Sequence, residues 1–123
     1  MPWTAEDRFR LSEWGYQLYR EGCHEQAITV FEALRDDDPS DAWAATALAA
    51  NQLAIGHVLA ALQTLEPHRS SPEARLLRAE TLAIAGSVRE AAAEAGLLQT
   101  VLAGPGLARL QLRLRASGQL GGA

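Results

Sequence analysis

Few residues in this chain have side chains that could carry out chemistry, and the first are the adjacent Cys23 and His24. A metal site needs three or four ligands at defined spacing, yet the other two histidines, His57 and His68, stand alone in predicted turns. A catalytic cysteine and histidine must lie within hydrogen-bond reach of each other across a cleft, which adjacent residues at a helix start seldom do. We therefore predict that these are exposed turn residues without a metal or catalytic role.

Two other stretches have the composition of ligand sites but lack essential members. Residues 36–38 are three aspartates, but a cation-binding loop needs further carboxylates at loop spacing, and none follows. Residues 104–106 read Gly-Pro-Gly, but a phosphate-binding loop also needs Lys and Ser or Thr. Because no catalytic constellation is present, we predict a protein that is not an enzyme and needs no cofactor.

Composition and charge favour one helical domain in a reducing cytosol. The chain of 123 residues is 48% hydrophobic but only 6% aromatic, which is typical of Ala- and Leu-rich helices. The net charge of −4 divides into −6 for residues 1–41 (ten acids, four bases) and +2 for the rest (five acids, seven bases). There is no basic patch for nucleic acid, no secretory leader and no apolar run of the roughly 20 residues that span a membrane. A single cysteine excludes an internal disulfide.

The elements that would position any site are helices, as the spacing of apolar residues shows. In the first segment, three bulky apolar residues and one glycine fall on one helix face, at i, i+3, i+4 and i+7: Leu11, Trp14, Gly15 and Leu18. The second segment, after Gly22, has a similar face at i, i+4 and i+7: Ala27, Phe31 and Leu34. We predict that Gly15 and Ala27 mark the crossing of two helices, with the larger side chains, Trp14 included, filling the space around it.

This pair of segments is repeated along the chain. Each of Gly22, Gly56 and Gly86 is followed five residues later by an alanine: Ala27, Ala61 and Ala91. The glycines are 34 and 30 residues apart, and Pro67 comes only six residues after Ala61, so the fourth helix should be short. Paired helices with these small and aromatic positions and a closing Asp-Pro are typical of tetratricopeptide repeats.

The predicted fold is therefore all-α, a tetratricopeptide-like superhelix of three antiparallel helix pairs without strands. We expect one domain over residues 1–116, ending in a seventh helix after Pro105. That helix would cap the core with Leu107, Leu110 and Leu114, because a solenoid needs a solvating end element. Residues 117–123 should be disordered.

The concave groove of such a superhelix is lined by the first helix of each pair, and it is the predicted functional surface. We predict partner-binding residues at its inner positions: Phe9, Tyr16, Tyr19, Trp43, Ala50, Leu53, Leu76 and Glu80. An exposed apolar groove suits the apolar face of an amphipathic helix. The clamp that holds acidic chaperone tails needs Lys, Asn and Arg in the groove, and the corresponding positions here carry other residues: Ser12, Tyr16, Ala47, Glu73 and Leu77.

Several segments resemble bacterial type III secretion chaperones. Residues 22–27 (Gly-Cys-His-Glu-Gln-Ala) resemble the start of the second helix in the small needle-subunit chaperones, and residues 18–22, 30–34 and 78–86 resemble the related translocator chaperones. The chain lacks the longer N-terminal extension of translocator chaperones, which favours the needle type. The resemblance, over about residues 8–102, implies a cytoplasmic bacterial chaperone that keeps a needle subunit or translocator monomeric, with a small helical co-chaperone also bound.

Two alternatives remain open at this point. One is a general tetratricopeptide scaffold for protein–protein interaction in another bacterial assembly. Neighbouring genes that encode secretion components would exclude this alternative. The other is an enzyme fragment or regulatory domain, which an activity tied to Cys23 would support.

Overall fold

The computed structural model describes residues 3–98, and every regular element in that range is helical. The α-helices are α1 (Ala5–Arg20), α2 (His24–Asp37), α3 (Ala42–Ala54), α4 (Val58–Leu65), α5 (Pro72–Ile84) and α6 (Val88–Leu98), with a 3₁₀ turn at Glu66–His68. They form three hairpins, α1–α2, α3–α4 and α5–α6, stacked in chain order. The predicted all-α superhelix of three pairs is confirmed. The seventh helix and the tail at 117–123 lie outside the described residues.

Local signals in the sequence account for where these helices begin and end. Thr4 Oγ1 accepts a hydrogen bond from Asp7 N at 3.1 Å, and the Asp7 carboxylate accepts one from Thr4 N, which completes a capping box for α1. The Asp41 side chain caps α3 by accepting a hydrogen bond from Ala44 N at 3.1 Å. The hairpin turns place three glycines at φ of +78°, +84° and +92°, a region that side chains disfavour: Gly22, Gly56 and Gly86.

The core lies where the two helices of each hairpin cross, and small residues allow the close approach. Ala27, Ala61 and Ala91 on the second helices are completely buried, as are Ala49 and Ala79 on the first helices. In the first hairpin the small residue is Gly15, which packs against the ring of Phe31. Larger side chains then surround each crossing, among them Leu34, Leu48, Leu65 and Leu98.

The prediction that Trp14 fills space in the core is wrong, because its side chain is 58% exposed. The equivalent position in the second hairpin is Leu48, which is completely buried where α2 packs against α3. Among the described residues, no hairpin precedes α1. Trp14 therefore faces solvent at the position where Leu48 faces the preceding helix.

Ionic contacts replace part of the apolar packing in the third hairpin. Arg75 donates from Nε and Nη2 to Glu94 Oε2, at 3.0 and 2.8 Å. Arg78 Nε lies 3.2 Å from Glu66 Oε2, which connects α5 to the 3₁₀ turn. Glu94 is only 7% exposed, so its charge is stabilised by these arginines rather than by water. His68 of the 3₁₀ turn is also buried, at 7% exposure, so its prediction as an exposed turn residue is wrong.

Arg8 joins α1 to the end of α2 and to Asp41, the residue that caps α3. Its guanidinium donates to Leu34 O at 3.1 Å and to the carboxylates of Asp37, at 2.6 Å, and Asp41. Burial alone would lower the pKa of Arg8, but hydrogen bonds and charges from the two carboxylates outweigh it, and its pKa is raised. This contact connects α1 to the start of α3, the first helix of the next hairpin.

Candidate partner-binding groove

The groove contains an apolar hollow between α1 and α3. Its volume is about 230 Å³. It is lined by Tyr16 and Tyr19 from α1, by Phe31 from α2, and by five residues of α3: Trp43, Thr46, Ala47, Ala50 and Asn51. Because α1 and α3 are the first helices of consecutive hairpins, the lining residues on these two helices lie at positions that face the inside of the superhelix.

A second hollow continues from the first along α1. It has a volume of about 490 Å³ and is lined by Phe9, Ser12, Glu13, Tyr16 and Trp43. Tyr16 and Trp43 line both hollows, so the two form one surface. Four large aromatic side chains are exposed along it: Phe9 at 62%, Tyr16 at 52%, Tyr19 at 42% and Trp43 at 52%. Exposed apolar surface of this extent and continuity is typical of protein-binding surfaces.

The aromatic rings are supported by their neighbours. The Trp43 ring lies edge-to-face with Phe31, which is 1% exposed, at a centroid distance of 5.7 Å. The rings of Tyr16 and Tyr19 stack at 6.4 Å, and the Arg20 guanidinium lies 5.8 Å from the centre of the Tyr16 ring. Such contacts stabilise particular ring orientations. The aromatic surface is therefore partly ordered before a partner binds.

His24 is not the exposed turn residue that the sequence predicted. Its side chain is half-buried, and its Nδ1 lies 2.9 Å from Oδ1 of the buried Asn51 on α3. Its ring also packs edge-on against Tyr19 at 5.7 Å. Cys23 is half-buried and has no disulfide. Within residues 3–98, no group of three or more His, Cys, Asp or Glu side chains could hold a metal ion.

The structure brings together five of the eight residues predicted to bind a partner. Phe9, Tyr16, Tyr19, Trp43 and Ala50 line the two hollows. Of the other three, Leu53 and Leu76 are partly buried and pack against core clusters further along the superhelix, and Glu80 is half-buried.

Two residues of the first hollow were not predicted to belong to the groove. Phe31 was assigned only to the core, although its ring also lines the hollow. No role was predicted for Asn51. The available signal was a polar side chain at a buried position of an otherwise largely apolar helix.

Charge contributes little to this surface. Among the residues that line the two hollows, only Glu13 is charged. The hollows therefore suit the apolar side chains of a partner rather than an acidic or basic ligand. None of the helices in the described part of the chain is both long and apolar enough to cross a bilayer.

No protein-family profile matches the sequence, and no curated protein matches it. Solved structures do match the fold. PcrH from Pseudomonas aeruginosa is similar with a TM-score of 0.82 at 22% identity, over 94% of this chain and 95% of PcrH. The type III secretion chaperone SycD of Yersinia enterocolitica, in complex with a peptide of the translocator YopD, gives 0.77 at 24% identity, over 92% and 90% of the two chains.

A second structure of PcrH, in complex with the chaperone-binding region of PopD, is similar with a TM-score of 0.75 at 23% identity, over 95% of this chain and 92% of that one. At these identities the similarity shows the fold. The chain therefore has the tetratricopeptide-like fold of the type III secretion translocator chaperones, which confirms the predicted structural resemblance. The closer resemblance to needle-subunit chaperones stays a prediction from the sequence.

Proposed function

We propose that this protein is a non-enzymatic chaperone that holds an apolar segment of a type III secretion translocator in its groove before export. The observation that carries the proposal is the pair of exposed aromatic residues, Tyr16 and Trp43, shared by two adjoining apolar hollows. Aromatic residues in a groove are frequent hot spots of protein–protein binding, because they bury a large area at a small cost in side-chain entropy.

The groove suits an amphipathic segment because its lining is apolar and almost uncharged. A secreted subunit that assembles through apolar surfaces would aggregate if those surfaces stayed exposed in the cytoplasm. Covering one of them in the groove would keep the subunit monomeric. Binding would also stabilise the chaperone, since a ligand selective for the folded state raises the free energy of unfolding by mass action.

A translocator is the cargo that the comparisons support best. The similar chaperones SycD and PcrH were solved with peptides of the translocators YopD and PopD. The needle subunit and the small helical co-chaperone rest on the sequence resemblance to needle-subunit chaperones alone. A general scaffold in another assembly would use the same groove for an unrelated partner, and the identity of the bound protein separates the two functions.

The proposal is tested by co-expressing the protein with type III secretion translocators and, separately, with needle subunits. We expect a stable complex with a translocator that survives purification. The Tyr16→Ala/Trp43→Ala variant should lose the complex. The control variant Leu59→Ala, which removes an exposed leucine of α4 (74% exposed) far from the lining of the groove, should keep it. Capture of the needle subunit alone would contradict the choice of cargo, and capture unaffected by the groove variant would contradict the site.

A further inference from the structure

We propose that His24 and Asn51 form a positioning pair that sets the shape of the first hollow and thereby the affinity for the partner. The inference rests on the proposed function of the groove. His24 is the first residue of α2, and Asn51 lies one turn before the end of α3. Their hydrogen bond joins residues 27 positions apart, so it connects the first hairpin directly to the second.

The geometry fixes the direction of this hydrogen bond. Asn51 Nδ2 donates to Ala47 O at 2.8 Å, within its own helix. The amide oxygen of Asn51 consequently faces His24, at 2.9 Å from Nδ1. Since a carbonyl oxygen can only accept, Nδ1 of His24 carries the hydrogen and donates. The pair thus specifies one tautomer of the histidine.

His24 contacts one residue in each of the two helices, α1 and α3, that line most of the first hollow. On the α1 side its ring packs edge-on against Tyr19, and on the α3 side it binds Asn51; both partners line the hollow. His24 therefore connects Tyr19 directly to Asn51 of α3. A wall that is held in place before binding loses less conformational entropy when the partner binds, and this raises affinity.

The internal repeat shows that stacking of the hairpins does not require this pair. The residues equivalent to His24 and Asn51 at the next junction are Val58 and Thr81. Val58 is apolar, and the Thr81 hydroxyl donates to Leu77 O of its own helix at 2.7 Å. The second junction thus packs without a side-chain hydrogen bond between these two positions. Stacking of the hairpins alone therefore does not explain the polar pair at the first junction.

Burial makes the pair more than an incidental surface contact. Asn51 is 0% exposed, and a buried amide is costly unless it is hydrogen-bonded. A partly buried hydrogen bond is also sensitive to distance and angle, so it favours one arrangement of the groups that it joins. The pair occurs at the junction whose hollow carries Tyr19 and Trp43, the place where a defined arrangement would matter for binding.

The test variant is His24→Val/Asn51→Thr, which places at the first junction the residue types found at the second. The probe is a labelled peptide of the chaperone-binding region of PopD, titrated well below the melting temperature. The matched control is His57→Val, which changes the exposed histidine in the next hairpin turn. We expect the variant to stay folded and to bind roughly fivefold more weakly than wild type, the size of effect that one hydrogen bond supplies. The control should bind as wild type does.

Nuclear magnetic resonance supplies a second readout that needs no partner. In the wild type, His24 should be the Nδ1-protonated tautomer, with contacts between its ring and that of Tyr19. In the variant, Tyr19 should give averaged signals. A variant with unchanged affinity and unchanged Tyr19 signals would overturn the positioning role, as would an Nε2-protonated His24 in the wild type. If wild type does not bind the peptide, PopD is excluded as a cargo of this chain, and the resonance measurements alone decide the positioning claim.

Discussion

The ring of Phe31 occupies the space where a side chain at position 15 would begin. A β-carbon added to Gly15 would lie 2.7 Å from Phe31 Cζ, well inside van der Waals contact. Phe31 is 1% exposed, and its ring packs edge-to-face against the ring of Trp43. The absence of a side chain at Gly15 thus lets α1 approach α2 and lets Phe31 form the floor of the groove.

The first prediction follows from this contact. Gly15→Ala should lower the free energy of unfolding by about 1–3 kcal/mol, because a buried ring must shift, even though alanine favours a helix. Gly96→Ala is the matched control, since a β-carbon on Gly96 of α6 would meet nothing within 4 Å. That variant should be more stable by up to about 1 kcal/mol. Urea unfolding measures both, and two variants of equal stability would contradict the packing described here.

The second prediction concerns equivalent positions that differ in burial. Leu48→Ala should cost about 2–5 kcal/mol, because it leaves a cavity in a completely buried site. Trp14→Ala, at the equivalent position of α1, should cost less than about 1 kcal/mol, since Trp14 is largely exposed. Thermal and urea unfolding compare the two variants. A larger loss for Trp14→Ala would show that something covers α1 in solution.

The sequence predicted the local part of the fold well. The glycine turns and the early end of α4 depend on neighbouring residues, so Gly22 and Pro67 were sufficient signals. The juxtaposition of Tyr16 and Trp43 was also predictable, because the repeat places both on the inner face of consecutive first helices.

Other features could not be predicted because they depend on distant parts of the chain. Periodicity placed Trp14 on the packing side of α1 but could not show that, within residues 3–98, this side is not covered by another helix. The pairing of His24 with Asn51 joins two hairpins, and nothing near His24 in the sequence indicates it. The burial of His68 likewise depends on how the 3₁₀ turn packs against the rest of the fold.

The third prediction addresses the ionic network of the third hairpin. Glu94→Leu alone should cost about 3 kcal/mol, because it leaves Arg75 and Arg78 partly buried beside an apolar residue. The triple variant Arg75→Met/Arg78→Leu/Glu94→Leu should be as stable as wild type or more so, since no buried charge remains unpaired. Denaturant unfolding of the single and triple variants tests this. A triple variant that is less stable than wild type would contradict it.

The fourth prediction concerns pH. The hydroxyl and the backbone amide of Ser40 both donate to Asp38, and they hold the pKa of that carboxyl below its ordinary 3.8. A carboxyl whose pKa is lower in the folded state stabilises the fold above the ordinary pKa, and the contribution is lost as pH falls through the folded pKa. Ser40→Ala should raise the pKa of Asp38 and be less stable than wild type at pH 5, with the difference shrinking below pH 3.8. Resonance titration of the carboxyl and unfolding at both pH values measure this, and an unchanged pKa would contradict it.

The groove itself is tested most directly by calorimetric titration of a PopD chaperone-binding peptide into wild type, Tyr16→Ala, Trp43→Ala and the control Leu59→Ala. Truncation of an aromatic hot spot costs about 2 kcal/mol or more. We therefore expect Tyr16→Ala and Trp43→Ala each to bind more than about tenfold more weakly, while Leu59→Ala, on an exposed residue that does not line the hollows, binds as wild type does. Equal affinity in wild type and both groove variants would contradict the assignment of this surface as the binding site.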